Sequence, residues 1–518
     1  MSPSAPARVA QTARVAVAPL AASSSTQLPT ATASTSTATA RPRPPSIATG
    51  PAPPTKRPRQ RQGEPRPDGS WLPVLASRSL KPDGQGCGHF VYGSPAPSTK
   101  IAAFGESPSR SLSRSADPDI DGTIIRTKSG NGIPSSSFDW EFCGPEIVPK
   151  LRATYRDGYA LILLSNQASS GPSLAANFRK KVPFVAREIG VPLRIMACFD
   201  FDEYRKPVSG MWDALVGRFN GGLAVDYAAS FYVGDAAGRP ADHADTDRKF
   251  ALNAGVRFLT PEQFFLGRPE DRNFELWGWY PHGYDHALAP PHELLDTTTP
   301  LGPLDTPEVV LLVGPRAIGK TSYASRLERL GYVVFTLPKL STSTSSLAPS
   351  LHAALADTLA IDAKGLVIDG SLPTRKARAQ VLAAVRSFAS TSAPFRSRCV
   401  LWTSRTRSAP DGMGSSHDAR ELVELAKHNS VFRLVTARGG GVQLVEQKEL
   451  QAWDKTFQVP TLREGFSRIT PTRFAFDPAL SGGATLGDWA KWLADVYPGK
   501  AKKTGRVAVR GLDGAQGA

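Results

Sequence analysis

The sequence predicts an α/β fold, with two doubly wound domains one after the other. Three observations predict it. Leu161–Leu164 and Phe231–Val233 are short apolar or aromatic runs, each ending in a polar turn that carries Asn or Gly. Such runs, separated by helical stretches, form the βαβ pattern of a buried parallel sheet. The pattern restarts at Val309–Val313, beyond a segment (266–306) rich in Pro, His and aromatic residues.

Taken in chain order, residues 1–70 are rich in Ala, Ser, Thr and Pro and nearly free of aromatics. Such a segment cannot bury enough apolar surface to offset its ordering entropy, so a disordered tail is expected. Its Lys56–Arg61 cluster is either of nuclear-localisation type or a solvated linker run. Met1 to about Ala22 has Arg8, Arg14 and no acid, as a mitochondrial presequence would, but weak amphipathic periodicity. The nucleus is the expected location and the mitochondrion the alternative. Residues 71–266 are the first domain, 267–306 a linker, 307–498 the second domain and 499–518 a basic C-terminal tail. Trp489 to Val496 is an amphipathic stretch near the end of the second domain. No internal repeat is visible.

The chain has 518 residues, of which 41% are hydrophobic and 21% charged, which suits folded domains and excludes wholesale disorder. Cys87, Cys143, Cys198 and Cys399 lack any CxxC spacing, so neither a disulfide framework nor a tetra-Cys zinc module is expected. No apolar run approaches the roughly 18 residues that span a bilayer. The net charge of +16 is uneven: residues 1–62 carry +8, residues 500–518 carry +4, and the long body between them only +4. A basic surface over the whole protein is therefore not implied.

Asp119-Ile120-Asp121-Gly122-Thr123 is the first chemical motif. Two carboxylates at i and i+2 in an extended segment can share a face. Asp119 can attack phosphorus and Asp121 can protonate the leaving oxygen and then activate water. Gly122 permits a tight turn that brings backbone N–H groups to a phosphate. Ser165 follows the run Leu161–Leu164, where open α/β sheets place ligand-binding groups, and its hydroxyl suits a phosphoryl oxygen. Lys206 can neutralise both nucleophile and phosphate. Asp235, after Phe231–Val233, can hold Mg²⁺, a hard cation that prefers carboxylates. Asp245 and Asp247 are secondary metal candidates, Asp247 having a helix-cap role as the alternative.

These four motifs resemble those of the haloacid-dehalogenase-type phosphatases. Thr127–Gly130, Tyr159–Gln167 (YALILLSNQ), Tyr204–Trp212 (YRKPVSGMW), Gly234–Arg239 (GDAAGR) and Asp247–Ala251 (DRKFA) further resemble the polynucleotide kinase 3′-phosphatase family, over about Lys100 to Leu266. The resemblance implies Mg²⁺ chemistry on a DNA 3′-phosphate, with Asp119, Asp121 and Asp235 around the metal.

One departure stands out. In the family the first strand runs directly into the nucleophile. Here the strand-like Lys100–Phe104 is separated from Asp119 by Gly105–Pro118, a polar stretch of Ser, Arg and Pro. Without it the chain reads Ile101-Ala102-Ala103-Phe104-Asp119-Ile120-Asp121-Gly122. The stretch reads as a retained intron: Gly-Glu-Ser can be encoded as GGTGAGTC, which contains a splice-donor-like sequence, and Asp-Pro-Asp can contain CAG before the final AC.

Gly314-Pro315-Arg316-Ala317-Ile318-Gly319-Lys320-Thr321 satisfies GxxxxGK[ST], after a strand and before a helical stretch. The backbone N–H groups of such a loop cradle phosphates. Lys320 reaches the β/γ-phosphates and Thr321 ligates Mg²⁺, so Gly314, Gly319, Lys320 and Thr321 are the expected ATP site. Gly331–Val333, Val367–Asp369, His428-Asn429 with Phe432-Arg433, and Pro460–Leu462 with Glu464–Phe466 resemble runs of the same family's kinase half. The family's acidic base falls shortly after the GYV run, where this chain has Phe335-Thr336-Leu337-Pro338-Lys339-Leu340. Asp369 is a candidate near Mg²⁺ or a turn residue. Arg375, Lys376 and Arg378 are candidate phosphate binders or a solvated helix face, and Arg420 and Arg433 possible lid arginines. Arg405–Asp418 reads as a surface insertion.

The expectation is a DNA repair enzyme acting on ends with a 3′-phosphate or 5′-hydroxyl, as a monomer, with no membrane partner. No forkhead-associated domain for phosphopeptide docking is expected, because the tail before residue 70 offers no folded room. The alternatives are a 3′-phosphatase whose second domain only binds nucleotide or DNA, and a catalytically dead DNA-end scaffold. Trp277, Trp279 and Tyr280 are expected to pack a seam between the domains rather than to stack on bases. Sequencing the transcript tests the intron reading. An mRNA without the codons for Gly105–Pro118 is expected, and one that keeps them refutes it.

Overall fold

The computed structural model describes residues 69–78, 85–106, 122–131, 134–167, 171–284, 306–337, 347–404, 416–437, 442–497 and 507–510. Residues 1–68 of the expected N-terminal tail, Asp119, Asp121, Pro338–Leu340 and residues 405–415 lie outside them, while Gly69 and Ser70, expected in the tail, already form a strand.

The first sheet has seven strands. They are β1 (Gly69–Leu75), β2 (Cys87–Tyr92), β3 (Ile101–Glu106), β6 (Ala160–Asn166), β7 (Leu193–Cys198), β8 (Phe231–Val233) and β9 (Arg257–Leu259); a small antiparallel pair, β4 (Ile125–Arg126) and β5 (Glu141–Phe142), lies apart. The order is β1-β2-β7-β6-β3-β8-β9, parallel from β7 to β9 and antiparallel at the β1–β2 edge. The continuous apolar run in β6 follows from burial on both faces. Leu161 and Leu163 pack with Phe104, Leu151 and Val185. Ile162 and Leu164 pack on the other side with Trp212 and Phe250.

The chain winds one way from β3 through β6 to β7, then crosses β3 to form β8 and β9. The carboxyl ends of β3, β6 and β8 therefore meet at the point where the winding reverses, which is where open sheets of this kind form a crevice.

After β10 (Glu275–Trp277), the second sheet comprises β11 (Glu308–Val313), β12 (Tyr332–Thr336), β13 (Gly365–Asp369), β14 (Arg396–Trp402) and β15 (Arg468–Thr472). Its order is β12-β13-β11-β14-β15, and every pairing is parallel. Helices cover both faces, including Lys320–Arg329 directly after the P-loop and Arg375–Ala389 after β13. The α/β architecture with two wound sheets thus agrees with the expectation. β16 (Val507–Arg510), inside the expected basic tail, pairs antiparallel with β10.

A seam joins the two sheets. Asn253 Nδ2 donates to the Trp492 carbonyl at 2.8 Å, and Trp492 N–H donates to Asn253 Oδ1 at 2.7 Å. Lys249 pairs with Asp245 at 3.0 Å and with Asp495 at 2.5 Å. Trp279 packs edge-on against Trp489 and beside His428, while Tyr280 lies against Trp492. The aromatic stretch is thus seam packing, as expected. Trp489 is fully buried among Trp279, Tyr284, His428 and Phe474. Trp489→Ala is expected to destabilise the protein by about 3–5 kcal/mol, read as a lower denaturant midpoint.

Candidate functional site

The first site is built at the carboxyl ends of β3, β6 and β8. Lys206 and Asp247 are its centre, and both side chains are completely buried. Lys206 Nζ donates to Asp247 Oδ1 at 2.8 Å, to the Leu164 carbonyl at 3.0 Å and to the Tyr232 hydroxyl at 3.1 Å. All three ammonium protons are thereby used. Tyr232 O–H in turn donates to Asp247 Oδ1 at 2.8 Å. Asp247 Oδ2 accepts from Ala236 N–H at 3.1 Å, which fixes the start of the loop after β8. Gly234 makes this approach possible. A Cβ there would lie 2.5 Å from Asp247 Cβ, so any other residue would push the aspartate away.

Asp247 was expected to be a secondary metal candidate or a helix cap. It is neither the cap nor peripheral. Asp245 stands at the N-cap position of Thr246–Ala254, without a side-chain cap bond, and Asp247 pairs with Lys206. Asp245 binds Lys249 and Trp277 N–H and belongs to the seam. The position of Asp247 in DRKFA carries no sign of the lysine it meets, because Lys206 comes from a distant loop.

Asp235 is close by. Thr123 Oγ1 donates to its Oδ1 at 3.1 Å, and His243 Nδ1 lies 3.9 Å from its Oδ2. Burial, then the neighbouring Asp247, pushes the Asp235 carboxyl above the usual range. No lysine or arginine among the described residues lies within ion-pair distance of it. A largely covered carboxylate so disfavoured and so lightly partnered suits a hard divalent cation. Among the described residues no group of three or more His, Cys, Asp or Glu could hold a metal by itself. Ser165 is fully buried and opposite Glu106 in the β3–β6 register; its Oγ accepts from Gln167 Nε2 at 2.8 Å.

Glu106 is a site residue the sequence reading passed over. β3 does not stop at Phe104 but runs on through Gly105 to Glu106, inside the polar stretch. Glu106 is buried, and its Oε2 accepts from Ile124 N–H at 3.3 Å. Burial is the main cause that raises its carboxyl to about 8, opposed by Lys181 and reinforced by Asp235.

The second site follows β11. Gly319 (φ +103°) and Ala317 (φ +64°) take left-handed backbone conformations in the loop, and Gly319 opens the helix Lys320–Arg329. Glycine permits this without strain. Lys320 Nζ donates to the carbonyls of Gly314 and Pro315 at 2.9 and 2.6 Å, and burial lowers its ammonium to about 8. Thr321 Oγ1 donates to Asp369 Oδ2 at 2.7 Å, from the end of β13. The loop lines a cavity of about 1200 Å³, with Trp402, Phe432, Arg433 and Arg473 among its other walls.

The structure separates the remaining arginines. Arg378 is fully buried and bound to both oxygens of Glu464 at 2.7 and 2.9 Å, so it is a structural group rather than a phosphate binder. Arg375 and Lys376 are exposed, as is Arg420, and none of the three lines the cavity. Arg433 does. Arg473, which the sequence reading did not single out, lies over the Tyr284 ring, with its Nε and Nη1 buried and without a hydrogen-bond partner.

Comparison with known proteins places both halves together. The family model described as polynucleotide kinase 3 phosphatase matches residues 116–265, beginning after β3. The bifunctional polynucleotide phosphatase/kinase of Schizosaccharomyces pombe is 32% identical, over 69% of this chain and 78% of its own length. The chain belongs to the bifunctional polynucleotide phosphatase/kinase family. A putative member of this family from Acanthamoeba polyphaga mimivirus is 26% identical, over 71% of this chain and 86% of its own. The polynucleotide 3′-phosphatase ZDP of Arabidopsis thaliana is 33% identical, over 33% of this chain and 24% of its own.

Two outcomes test the first site. Asp247→Ala leaves the Lys206 ammonium buried without a counter-charge and is expected to cost about 3–5 kcal/mol in urea unfolding. The pH dependence tests Glu106. Its folded value of about 8 lies above the usual glutamate value near 4.3, so its contribution to stability is full below about pH 4 and fades as pH rises towards 8. Glu106→Gln is expected to remove that decline, measured as urea midpoints at pH 5 and pH 8.

Proposed function

We propose that this chain is a DNA end-processing enzyme that removes 3′-phosphates in its first domain and phosphorylates 5′-hydroxyls in its second. The observation that carries the first activity is the convergence of Lys206, Asp247, Asp235 and Ser165 at one crevice, in a chain of this family. Asp119 is the nucleophile. Its carboxylate oxygen bonds to phosphorus while the bond from phosphorus to the 3′-oxygen breaks, and that oxygen takes the proton of Asp121. Asp121 then takes a proton from water, whose oxygen displaces Asp119 and frees phosphate. Ser165 and Lys206 bind the phosphoryl oxygens. Asp235 with Asp119 and Asp121, and Thr321 with Asp369 nearby, are the groups that would hold Mg²⁺, which offsets negative charge on the phosphoryl groups at each site.

In the second domain, the loop Gly314–Thr321 binds ATP, and Lys320 leaves the carbonyls of Gly314 and Pro315 for the phosphates. Arg433 and Arg473 face the same cavity as cations for the triphosphate or the DNA end. A second reading, nucleotide binding without transfer, is favoured by one observation. Among the described residues lining the cavity, Glu449 and Asp477 are held by Arg316 and Arg326, and Asp369 holds Thr321. The described start of the segment after β12 carries no acid to accept the 5′-hydroxyl proton.

The nucleus is the proposed location, supported by the Lys56–Arg61 cluster and by the substrate. The tails supply salt-sensitive attraction to DNA phosphates.

Labelled ATP and a 5′-hydroxyl oligonucleotide separate the two readings of the second domain. Transfer that Lys320→Ala abolishes is expected; binding without transfer supports the second reading. For the first domain, at least one of two forms of the chain, with or without Gly105–Pro118, is expected to release phosphate from a 3′-phosphorylated oligonucleotide. Asp119→Asn should abolish that release, and a folded protein inactive in both forms refutes the phosphatase.

A further inference from the structure

A carboxylate can attack a phosphoryl group beside Lys206 only if something holds it there. The backbone position that faces Lys206 from the central strand is residue 105. A Cβ built on Gly105 points into the cluster: it lies 2.7 Å from Asp247 Oδ1, and closer still to the Tyr232 hydroxyl. These two side chains fill the space that the glycine leaves, and together with the Leu164 carbonyl they occupy every proton of Lys206. Ser165, at the same end of the sheet, is opposite Glu106. The strand end thus presents a hydrogen atom where the site calls for an acid, followed by a glutamate buried beside Asp235.

The two ends of the intervening stretch are in contact. The described chain leaves at Glu106 and returns at Gly122, and Ile124 N–H donates to Glu106 Oε2 at 3.3 Å. Thr123, fully buried, already holds Asp235. The residues that follow Asp121 therefore stand at the end of β3 although the sequence between is long. Removing Gly105–Pro118 joins Phe104 to Asp119 and gives residue 105's place to an aspartate. The two residues after it, Ile120 and Asp121, then lead to Gly122.

We propose that the hydrolytically competent form of this protein lacks Gly105–Pro118, with Asp119 in the strand-end position of Gly105, and that the form carrying the stretch is deficient in 3′-phosphate hydrolysis while keeping its fold. This inference rests on the phosphatase reading of the first domain. In the competent form the Asp119 carboxylate displaces the Tyr232 hydroxyl from Lys206, and the strand fixes its angle of attack. In the longer form twelve residues separate Asp119 from Glu106, the last residue of β3, and misplacement of a reacting group by about 1 Å costs on the order of 10²-fold in rate. Glu106 also brings a further buried carboxyl to a crevice that already holds the carboxyls of Asp235 and Asp247.

The test compares the full chain with the chain lacking Gly105–Pro118, each with Mg²⁺ and a 3′-phosphorylated oligonucleotide. Thermal unfolding and labelled-ATP binding to the second domain serve as controls of fold. The shorter form is expected to release phosphate at least about 10²-fold faster, with that release lost on Asp119→Asn. Equal release by both forms, lost in both on Asp119→Asn, overturns the proposal and leaves the phosphatase reading standing. Two folded forms without release overturn both. A shorter form that does not fold makes the stretch structural and overturns the proposal.

Discussion

The fully buried pair of Lys206 and Asp247 is the constraint on which the first domain depends. Two charges removed from water are tolerable only if each is matched and every remaining hydrogen-bonding group is satisfied. The matching draws on separate parts of the chain: Leu164 in β6, Tyr232 in β8, the loop that bears Lys206, and the helix Thr246–Ala254. The pair therefore fixes how these parts sit against one another. It also explains local sequence. Gly234 must lack a side chain so that Asp247 can come close, and Ala236 N–H supplies a bond that a buried carboxylate needs. A lysine held this way has a fixed position but no spare proton. In the proposed reaction a phosphoryl group gains it only by exchange for Tyr232 or the Leu164 carbonyl.

The second domain solves the same problem of a buried lysine differently. Lys320 is tied to carbonyls of its own loop and carries a lowered ammonium value, so burial works against its charge. The proposed triphosphate would reverse that balance, because it replaces neutral carbonyls with anionic oxygens. The first site sets acids around one lysine, and the second sets arginines and backbone around another. The seam of Asn253, Lys249 and the tryptophans keeps the two halves packed without sharing either crevice.

The wound sheets were legible because buried parallel strands must be apolar throughout, and Leu161–Leu164, Phe231–Val233 and Val309–Val313 are. The P-loop was legible because its chemistry lies in consecutive residues. Asp247 was undervalued for the opposite reason: its partner is contributed by tertiary structure, and an aspartate at a helix start reads equally well as a cap. Arg378 failed as a phosphate candidate because Glu464, a long way along the chain, takes both sides of its guanidinium. Arg473 and Glu106 left no periodic or motif signal; each matters only through what buries it. The strand β16 was hidden by the net basic charge of the C-terminal segment around it.

The chain departs from its family's spacing in two places, and physics treats them unequally. Between Ser404 and the helix Ser416–Thr436, Ser404 Oγ donates to Glu421 Oε2 at 2.5 Å, so the ends of that stretch are bound to each other. After β3, Glu106 and Ile124 do the same. Closing a longer loop costs little, about 0.6 kcal/mol for each doubling of length, so the fold bears both. Function does not follow the same rule. A loop at a domain's rim changes only what it covers, whereas a nucleophile takes its accuracy from the rigid element that carries it. Under the proposed reading, an insertion between the central strand and the acid that should terminate it acts where stability is barely touched and geometry decides the rate.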